Sequence, residues 1–198
     1  MVCDRWRCVV FGVSLGIMDG AGGAAGGSFE SIATFTASGG ETSTTFSSIA
    51  STYKHLQIRG IYRDTTTGGF SKQLGLRFNG DTGSNYPYHA IYGDGSAVYA
   101  IGNTAQNQLY TAYSGTDSSM TANCFGGSII DIIDYASTTK NKTLRHFGGV
   151  NDNVGDTNRR LGLSSGFWMS TSAITSVTLL PASAFAAGTV FSLYGIKG

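Results

Sequence analysis

His55-Leu-Gln-Ile-Arg-Gly-Ile-Tyr-Arg63 is the stretch that decides the fold class of this chain. Leu56, Ile58 and Tyr62 fall on one side of an extended backbone, and polar residues fall mostly on the other. Such a period of two is typical of a half-buried β-strand. A turn rich in Thr and Gly follows, and Gln73-Leu-Gly-Leu-Arg-Phe78 then alternates in the same way. The two stretches therefore predict two strands joined by a turn.

Segments of the same kind recur along the chain between clusters of Gly, Asn, Asp and Ser. Ser128–Tyr135 also fits a helical turn because its isoleucines face both ways, but its β-branched content favours a strand buried on both sides. Regularly spaced short strands predict an all-β chain, an antiparallel β-sandwich or a jelly-roll-like head. The predicted strands are Phe29–Thr36, Thr44–Ile49, His55–Arg63, Leu74–Phe78, Tyr88–Tyr92, Ala97–Ile101, Gln108–Tyr113, Ala122–Tyr135, Thr143–Val150, Leu161–Met169, Ala173–Leu180 and Thr189–Ile196.

Composition and charge narrow the class further. The strong helix formers Leu, Lys and Glu are scarce, while 29 Gly and only 2 Pro among 198 residues favour Gly-rich turns. The formal net charge is +1, without a Lys/Arg run, which predicts no nucleic-acid partner. No apolar run approaches the roughly 20 residues that span a bilayer, so we expect a soluble chain with no membrane contact. Three cysteines without framework spacing predict neither a disulfide scaffold nor a zinc site.

The first 27 residues differ from the rest of the chain. Arg5 and Arg7 precede an apolar stretch, 8–18, and then a Gly/Ala-rich stretch, 19–27. One interpretation is a secretory signal. Asp4 within the basic start and several Gly and Ser residues within the apolar stretch favour the other, an arm that docks on a neighbour through a hinge. We therefore predict an N-terminal arm and hinge over residues 1–27 and a β-sandwich domain over residues 28–198.

No set of residues predicts catalysis. Gly162-Leu-Ser-Ser-Gly166 has the spacing of a nucleophile elbow around Ser164, but no helix is predicted after it. His146 precedes the serine, whereas the hydrolase order places the histidine after it. We expect no enzymatic activity and no cofactor.

A metal site is weakly indicated by oxygen-bearing residues on two loops. Asn79, Asp81 and Asn85 lie on one loop, and Asp94 lies on the next. Calcium takes six to eight such oxygens, but the acidic residues here are few and Asx turns explain the same residues. We therefore predict no bound metal.

Tyrosines beside loops form the best candidate recognition surface. Tyr among Ser, Gly and Asn is typical of adaptable protein- and glycan-binding surfaces. The alternative is that these side chains cap the core or line a subunit seam. The residues predicted first for surface recognition are Tyr86, Tyr88, Tyr92 and Tyr113, and Tyr99 and Tyr110 lie in similar positions.

Seven segments are the basis of a resemblance: Phe29–Thr36, Phe46–Ile49, Ser51–Arg63, Leu76–Tyr86, Ile132–Ala136, Lys142–Arg145 and Phe191–Lys197. Over residues 29–198 the chain resembles short tail-fibre-like or capsid-decoration proteins from the virions of tailed bacteriophages. Leu15-Gly-Ile17 also resembles an N-terminal segment common in that group, whereas residues 1–10 depart from it. The resemblance implies a virion location, an N-terminal arm and a β-rich head, and it implies no catalytic residues.

Three functions follow as hypotheses. In the first, a tail-fibre-like adhesin is anchored to other virion proteins by its arm and meets a host glycan or protein through its loops. In the second, a capsid decoration (cement) protein stabilises the head. In the third, a hydrolase acts on surface polysaccharide, but it lacks the required acid pair or Ser/His set. We also predict a homotrimer, with apolar strands such as Val190–Ile196 at the threefold seam.

Overall fold

The structure is a computed structural model that describes residues 27–152 and 159–198. Residues 1–26 of the predicted arm, with Cys3 and Cys8, lie outside the described residues. The described residues form fourteen β-strands and no helix. The strands are β1 Phe29–Thr36, β2 Thr44–Phe46, β3 His55–Tyr62, β4 Ser71–Lys72, β5 Gly75–Phe78, β6 Tyr88–Gly93, β7 Val98–Asn103, β8 Leu109–Tyr110, β9 Gly115–Thr116, β10 Gly126–Ile133, β11 Lys142–Val150, β12 Arg160–Trp168, β13 Val177–Leu180 and β14 Val190–Ile196.

The strands form two packed antiparallel sheets of unequal width and one short pair. The large sheet has eight strands in the order β1-β14-β3-β10-β11-β12-β6-β7, with the meander β10-β11-β12 near its centre. The small sheet has four strands in the order β2-β13-β5-β8, and β4 pairs with β9. The prediction of an all-β, antiparallel β-sandwich is confirmed.

The core lies between the two sheets because each long strand alternates. Ile130, Ile132 and Leu144 point inward from the centre of the large sheet and are fully buried. They belong to one hydrophobic cluster with Leu76 and Leu179 of the small sheet. Each such side chain contributes about 1.5–3 kcal/mol when fully buried. The alternation that predicted the strands therefore also identifies the side chains that stabilise the sandwich.

The segment predicted as a strand over Ala122–Tyr135 differs from expectation in two ways. The strand β10 begins only at Gly126, so Cys124 lies in the preceding turn as a free, partly buried thiol whose pKa is raised by burial. The segment is a strand and not a helical turn, but it is not buried on both sides. Ile129 points away from the small sheet and is about 42% exposed, since the described residues cover only one face of the large sheet.

Glycines on the inner face let a connecting segment approach the large sheet closely. The segment around Ser114 lies against the inner face of β10 and β11. A Cβ atom at Gly126 would overlap the carbonyl oxygen of Ser114, and one at Gly148 would lie 2.6 Å from the Cβ of Ser114. Gly127 instead faces the opposite side of the sheet, where a Cβ atom would meet nothing within 4 Å.

We predict that Gly126→Ala lowers the free energy of unfolding by at least about 3 kcal/mol, because the methyl group forces the Ser114 backbone away. Gly127→Ala is the matched control, one residue along the same strand, and it should change stability by less than about 1 kcal/mol. Urea unfolding followed by tryptophan fluorescence measures both. Equal effects of the two substitutions would show that the close approach of Ser114 is not a constraint.

Candidate binding surfaces

Two of the four predicted recognition tyrosines belong to the core. Tyr86 is fully buried, its hydroxyl accepts a hydrogen bond from Phe78 N at 3.2 Å and donates one to Asp81 O at 3.0 Å, and burial raises its pKa to about 12. Tyr88 points inward from β6, and its hydroxyl accepts a bond from Asn103 Nδ2 at 3.0 Å. The prediction that both lie on the surface is wrong. Both residues are next to a loop in the sequence, but their rings point inward and belong to the hydrophobic core. For these two, the core-capping alternative describes the structure.

The other two predicted tyrosines meet in a cluster with Tyr99. The Tyr92 ring stacks on Tyr99 with 5.1 Å between centroids and meets Tyr113 edge-on at 4.9 Å. Tyr92 and Tyr99 are partners across the β6–β7 hairpin, and the Arg160 guanidinium lies 5.9 Å from the Tyr92 ring centroid. Tyr99 is about 42% exposed, so this tyrosine cluster presents aromatic surface to solvent. Such rings can stack on an apolar side chain or on the face of a sugar.

The weak metal candidates use their oxygens to hold turns. Asn79 Oδ1 accepts from the backbone N–H groups of Thr175 at 2.8 Å and Ser176 at 3.1 Å. The Asp81 carboxylate accepts from Trp168 Nε1 at 2.6 Å and from Asn85, and these hydrogen bonds lower its pKa.

Asp94 caps its own turn. Its Oδ1 accepts from Ser96 N at 2.9 Å and Ala97 N at 2.8 Å, and these bonds lower its pKa. Within residues 27–152 and 159–198, no three His, Cys, Asp or Glu side chains group as metal ligands. Asp81 and Asp94 thus accept hydrogen bonds from the backbone of their own turns, and Asn79 binds the backbone of residues 175 and 176.

Ser164 and His146 are neighbours in space, which the sequence order did not indicate. They face each other across the β11–β12 pair, and both are almost completely buried on the inner face. Ser164 Oγ accepts a bond from Ala112 N at 3.1 Å, and neither ring nitrogen of His146 has a hydrogen-bond partner in the described structure. Burial lowers the pKa of His146 to about 3, far from the range of an effective base at neutral pH. The pair therefore lacks the contact between a nucleophile and its base.

The outer face of the large sheet carries an uninterrupted apolar row. Ile129, Phe147, Leu163 and Ile91 are register partners on β10, β11, β12 and β6, and each is about half exposed. Leu161, Val98 and Ile61 lie in the adjacent row. We call these seven residues the apolar face: Ile61, Ile91, Val98, Ile129, Phe147, Leu161 and Leu163.

A polar row borders the apolar face on one side. The Asp131 carboxylate accepts from Arg145 Nε at 2.8 Å and from Gln57 Nε2 at 2.7 Å. Ser165 and His89 continue the row across β12 and β6. A shallow hollow of about 550 Å³ lies between this row and Phe147 and Leu163. The only carboxylate in the row is thus already neutralised within its own chain.

Sequence reasoning overlooked the apolar face, although a signal was present. Strands with one solvated face carry large apolar residues at alternate positions only. The central strands instead carry large apolar residues at successive positions, as in Ile129 beside Ile130 and Phe167 beside Trp168. Over Ser128–Tyr135 this pattern predicts burial on both sides, whereas residues 27–152 and 159–198 leave the outer side of the sheet uncovered.

No family model matches the sequence, and comparison with curated proteins and with solved structures found no match either. Within the described residues, no helix is long and apolar enough to cross a membrane. A proposal for the function therefore depends on the two surfaces and on the resemblance of residues 29–198.

We predict that replacing His146 reduces the acid sensitivity of the fold. The unfolded state binds a proton near pH 6.5, but the folded state binds it only near pH 3, so stability falls as pH drops between these values. Between pH 7 and pH 4, the difference in pKa of this one group lowers the free energy of unfolding by about 3 kcal/mol. His146→Leu should abolish that share of the loss.

Urea unfolding of wild type and His146→Leu at pH 7 and pH 4 measures this difference. His89→Gln is the control, because His89 is an exposed histidine on β6. The interpretation fails if His146→Leu and wild type lose the same stability on acidification.

Proposed function

We propose that the chain is a non-enzymatic structural protein of a tailed-phage virion, an exposed β-sandwich module of the tail-fibre or adhesin type. The apolar face is the observation that carries the proposal. The described residues leave this face exposed, its area is at the upper end of the largest apolar patches on monomers, and such patches often mark a site of macromolecular contact. The resemblance of residues 29–198 to virion proteins supports the same setting.

The tyrosine cluster supports the adhesin form of this proposal. Tyr92, Tyr99 and Tyr113 combine rigid aromatic surface with a nearby cation, Arg160. Tyr side chains supply large contact area at little conformational cost. The cluster would meet a glycan or protein on the host surface, while the arm of residues 1–27 would anchor the module to another virion protein.

The proposed homotrimer would need an interface other than β14, Val190–Ile196, the strand that the sequence suggested for it. The strand β14 lies inside the large sheet between β1 and β3, and its Phe191 and Leu193 belong to the core. Only the alternate residues of β14, such as Val190 and Tyr194, face outward, and they are partly buried. The apolar face is the better candidate for contacts between subunits.

Capsid decoration is the second candidate, because an apolar face also suits a protein that clamps shell subunits together. The two functions differ in copy number. A fibre is present in few copies at one end of the particle, whereas a decoration protein approaches the stoichiometry of the shell protein and covers the head.

We predict that immunogold labelling with an antibody against the exposed loop 80–84 marks one end of purified phage particles. Quantitative mass spectrometry of the same particles should give few copies relative to the shell protein. Label over the whole head, in near-shell stoichiometry, would favour decoration. Production in infected cells without incorporation into particles would contradict both structural functions.

We also predict that Tyr99→Ala weakens binding of the labelled full chain to host cells by more than about tenfold, as expected for an exposed aromatic anchor. Phe167→Ala is the matched control, because Phe167 is similarly exposed, about 38% against 42%, but lies on the opposite side of the sheet. Circular dichroism checks that both variants fold. Unchanged binding of Tyr99→Ala would exclude the tyrosine cluster as the host-contact surface.

A further inference from the structure

We propose that the apolar face binds the apolar face of a second copy of this chain. This inference names a partner for that face, and it stands on the geometry of the large sheet whether or not the chain is a virion protein. Four observations support it: the area of the face, its relief, the distribution of its charges and the contrast with the small sheet.

The area of the face, together with its border, approaches what a standard interface buries. The seven side chains are each 42–72% exposed. Together they present on the order of 600 Å² of apolar surface, at the upper end of the largest patches on typical monomers. With the bordering polar row the surface approaches the roughly 800 Å² per partner that a standard interface buries.

The face carries both exposed side chains and a hollow, as an interlocking contact between two copies would need. Phe147 and Leu163 are about half exposed on β11 and β12, and a hollow of about 700 Å³ beside Phe147 is lined by Ile61, Gly127 and Gly149. Projections and a hollow on one surface allow two copies to interlock, with the projections of one copy filling the hollow of the other. Two copies can fill each other's hollows across a twofold axis, and around a threefold axis the exposed side chains of each copy can fill the hollow of the next.

The charges do not oppose contact between identical faces. The seven residues of the apolar face are uncharged. In the bordering row, Asp131 is paired with Arg145. Arg59 lies on β3 beside Ile129, and its guanidinium rests 5.1 Å from the ring centroid of Phe29 and 5.3 Å from that of Tyr194. Two copies can therefore meet without placing unpaired like charges opposite each other at the centre.

The small sheet shows what a solvated face of this protein looks like. Its outward positions include Thr45, Thr178 and Arg77, and the two threonine hydroxyls are hydrogen-bonded at 2.9 Å. The outer faces of the two sheets thus differ in chemistry although both belong to one sandwich. This contrast points to the large sheet as the side that a partner covers.

The test is the association state of the full chain. Mass photometry and sedimentation velocity over a dilution series should show an oligomer of the wild type. Leu163→Lys and Phe147→Lys should each weaken association more than about tenfold, because both side chains lie centrally in the proposed interface. Thr45→Lys is the matched control, since it adds the same charge to the outer face of the small sheet and should leave association unchanged.

Circular dichroism and thermal unfolding establish that the lysine variants fold, which their exposed positions allow. A dimer or a trimer that dissociates on Leu163→Lys supports the inference. A wild type that stays monomeric at all concentrations overturns it, as does an oligomer that both lysine variants leave intact. Binding of a monomeric wild type to phosphatidylcholine/phosphatidylglycerol vesicles, lost in Leu163→Lys, would assign the face to a lipid surface and also overturn it. If chains associate through this face but are absent from phage particles, only the proposed virion function fails.

Discussion

Burial of alternate side chains between two sheets of unequal width is the constraint on which the rest of the structure depends. Eight strands at about 4.8 Å spacing make the large sheet roughly twice as wide as the four-stranded one. The small sheet can cover only part of the inner face and none of the outer face. The remaining area of the large sheet must therefore be covered by connecting segments, by solvent or by another molecule.

A connecting segment covers part of the inner face of the large sheet. This contact explains why glycines and buried polar residues occur there. Backbone around Ser114 can lie on the sheet only where Gly126 and Gly148 leave room. The same contact buries His146 and the Ser128 hydroxyl without hydrogen-bond partners in the described structure. Isolated buried polar groups reduce stability, because they lose water and gain little in return. The close packing of the Ser114 backbone on the large sheet thus comes with buried polar side chains. One of them is His146, whose lowered pKa makes the stability of the fold depend on pH.

The fold was predictable from local sequence, whereas the surfaces depended on what covers each strand. All twelve predicted strands correspond to observed ones, because alternation and Gly-rich turns are local signals. The short pair β4 and β9 was missed, since two-residue strands carry no period. Tyr86 was misplaced because its position beside a loop predicted exposure, while the loop turns the ring inward onto Phe78. Similarly, the sequence indicates that Ile129 and Ile130 point to opposite faces of the strand, but not that the described residues cover only the face of Ile130.

The β6–β7 hairpin shows how the two proposed surfaces remain separate. Ile91 and Val98 point outward into the apolar face, and their chain neighbours Tyr92 and Tyr99 point inward into the tyrosine cluster. Because adjacent side chains of a strand lie on opposite faces, association through the apolar face leaves the tyrosine cluster uncovered. A register slip of one residue would exchange the two surfaces, so the pairing of β6 with β12 sets both of them. One strand register thus separates the proposed contact between subunits from the proposed contact with a further partner.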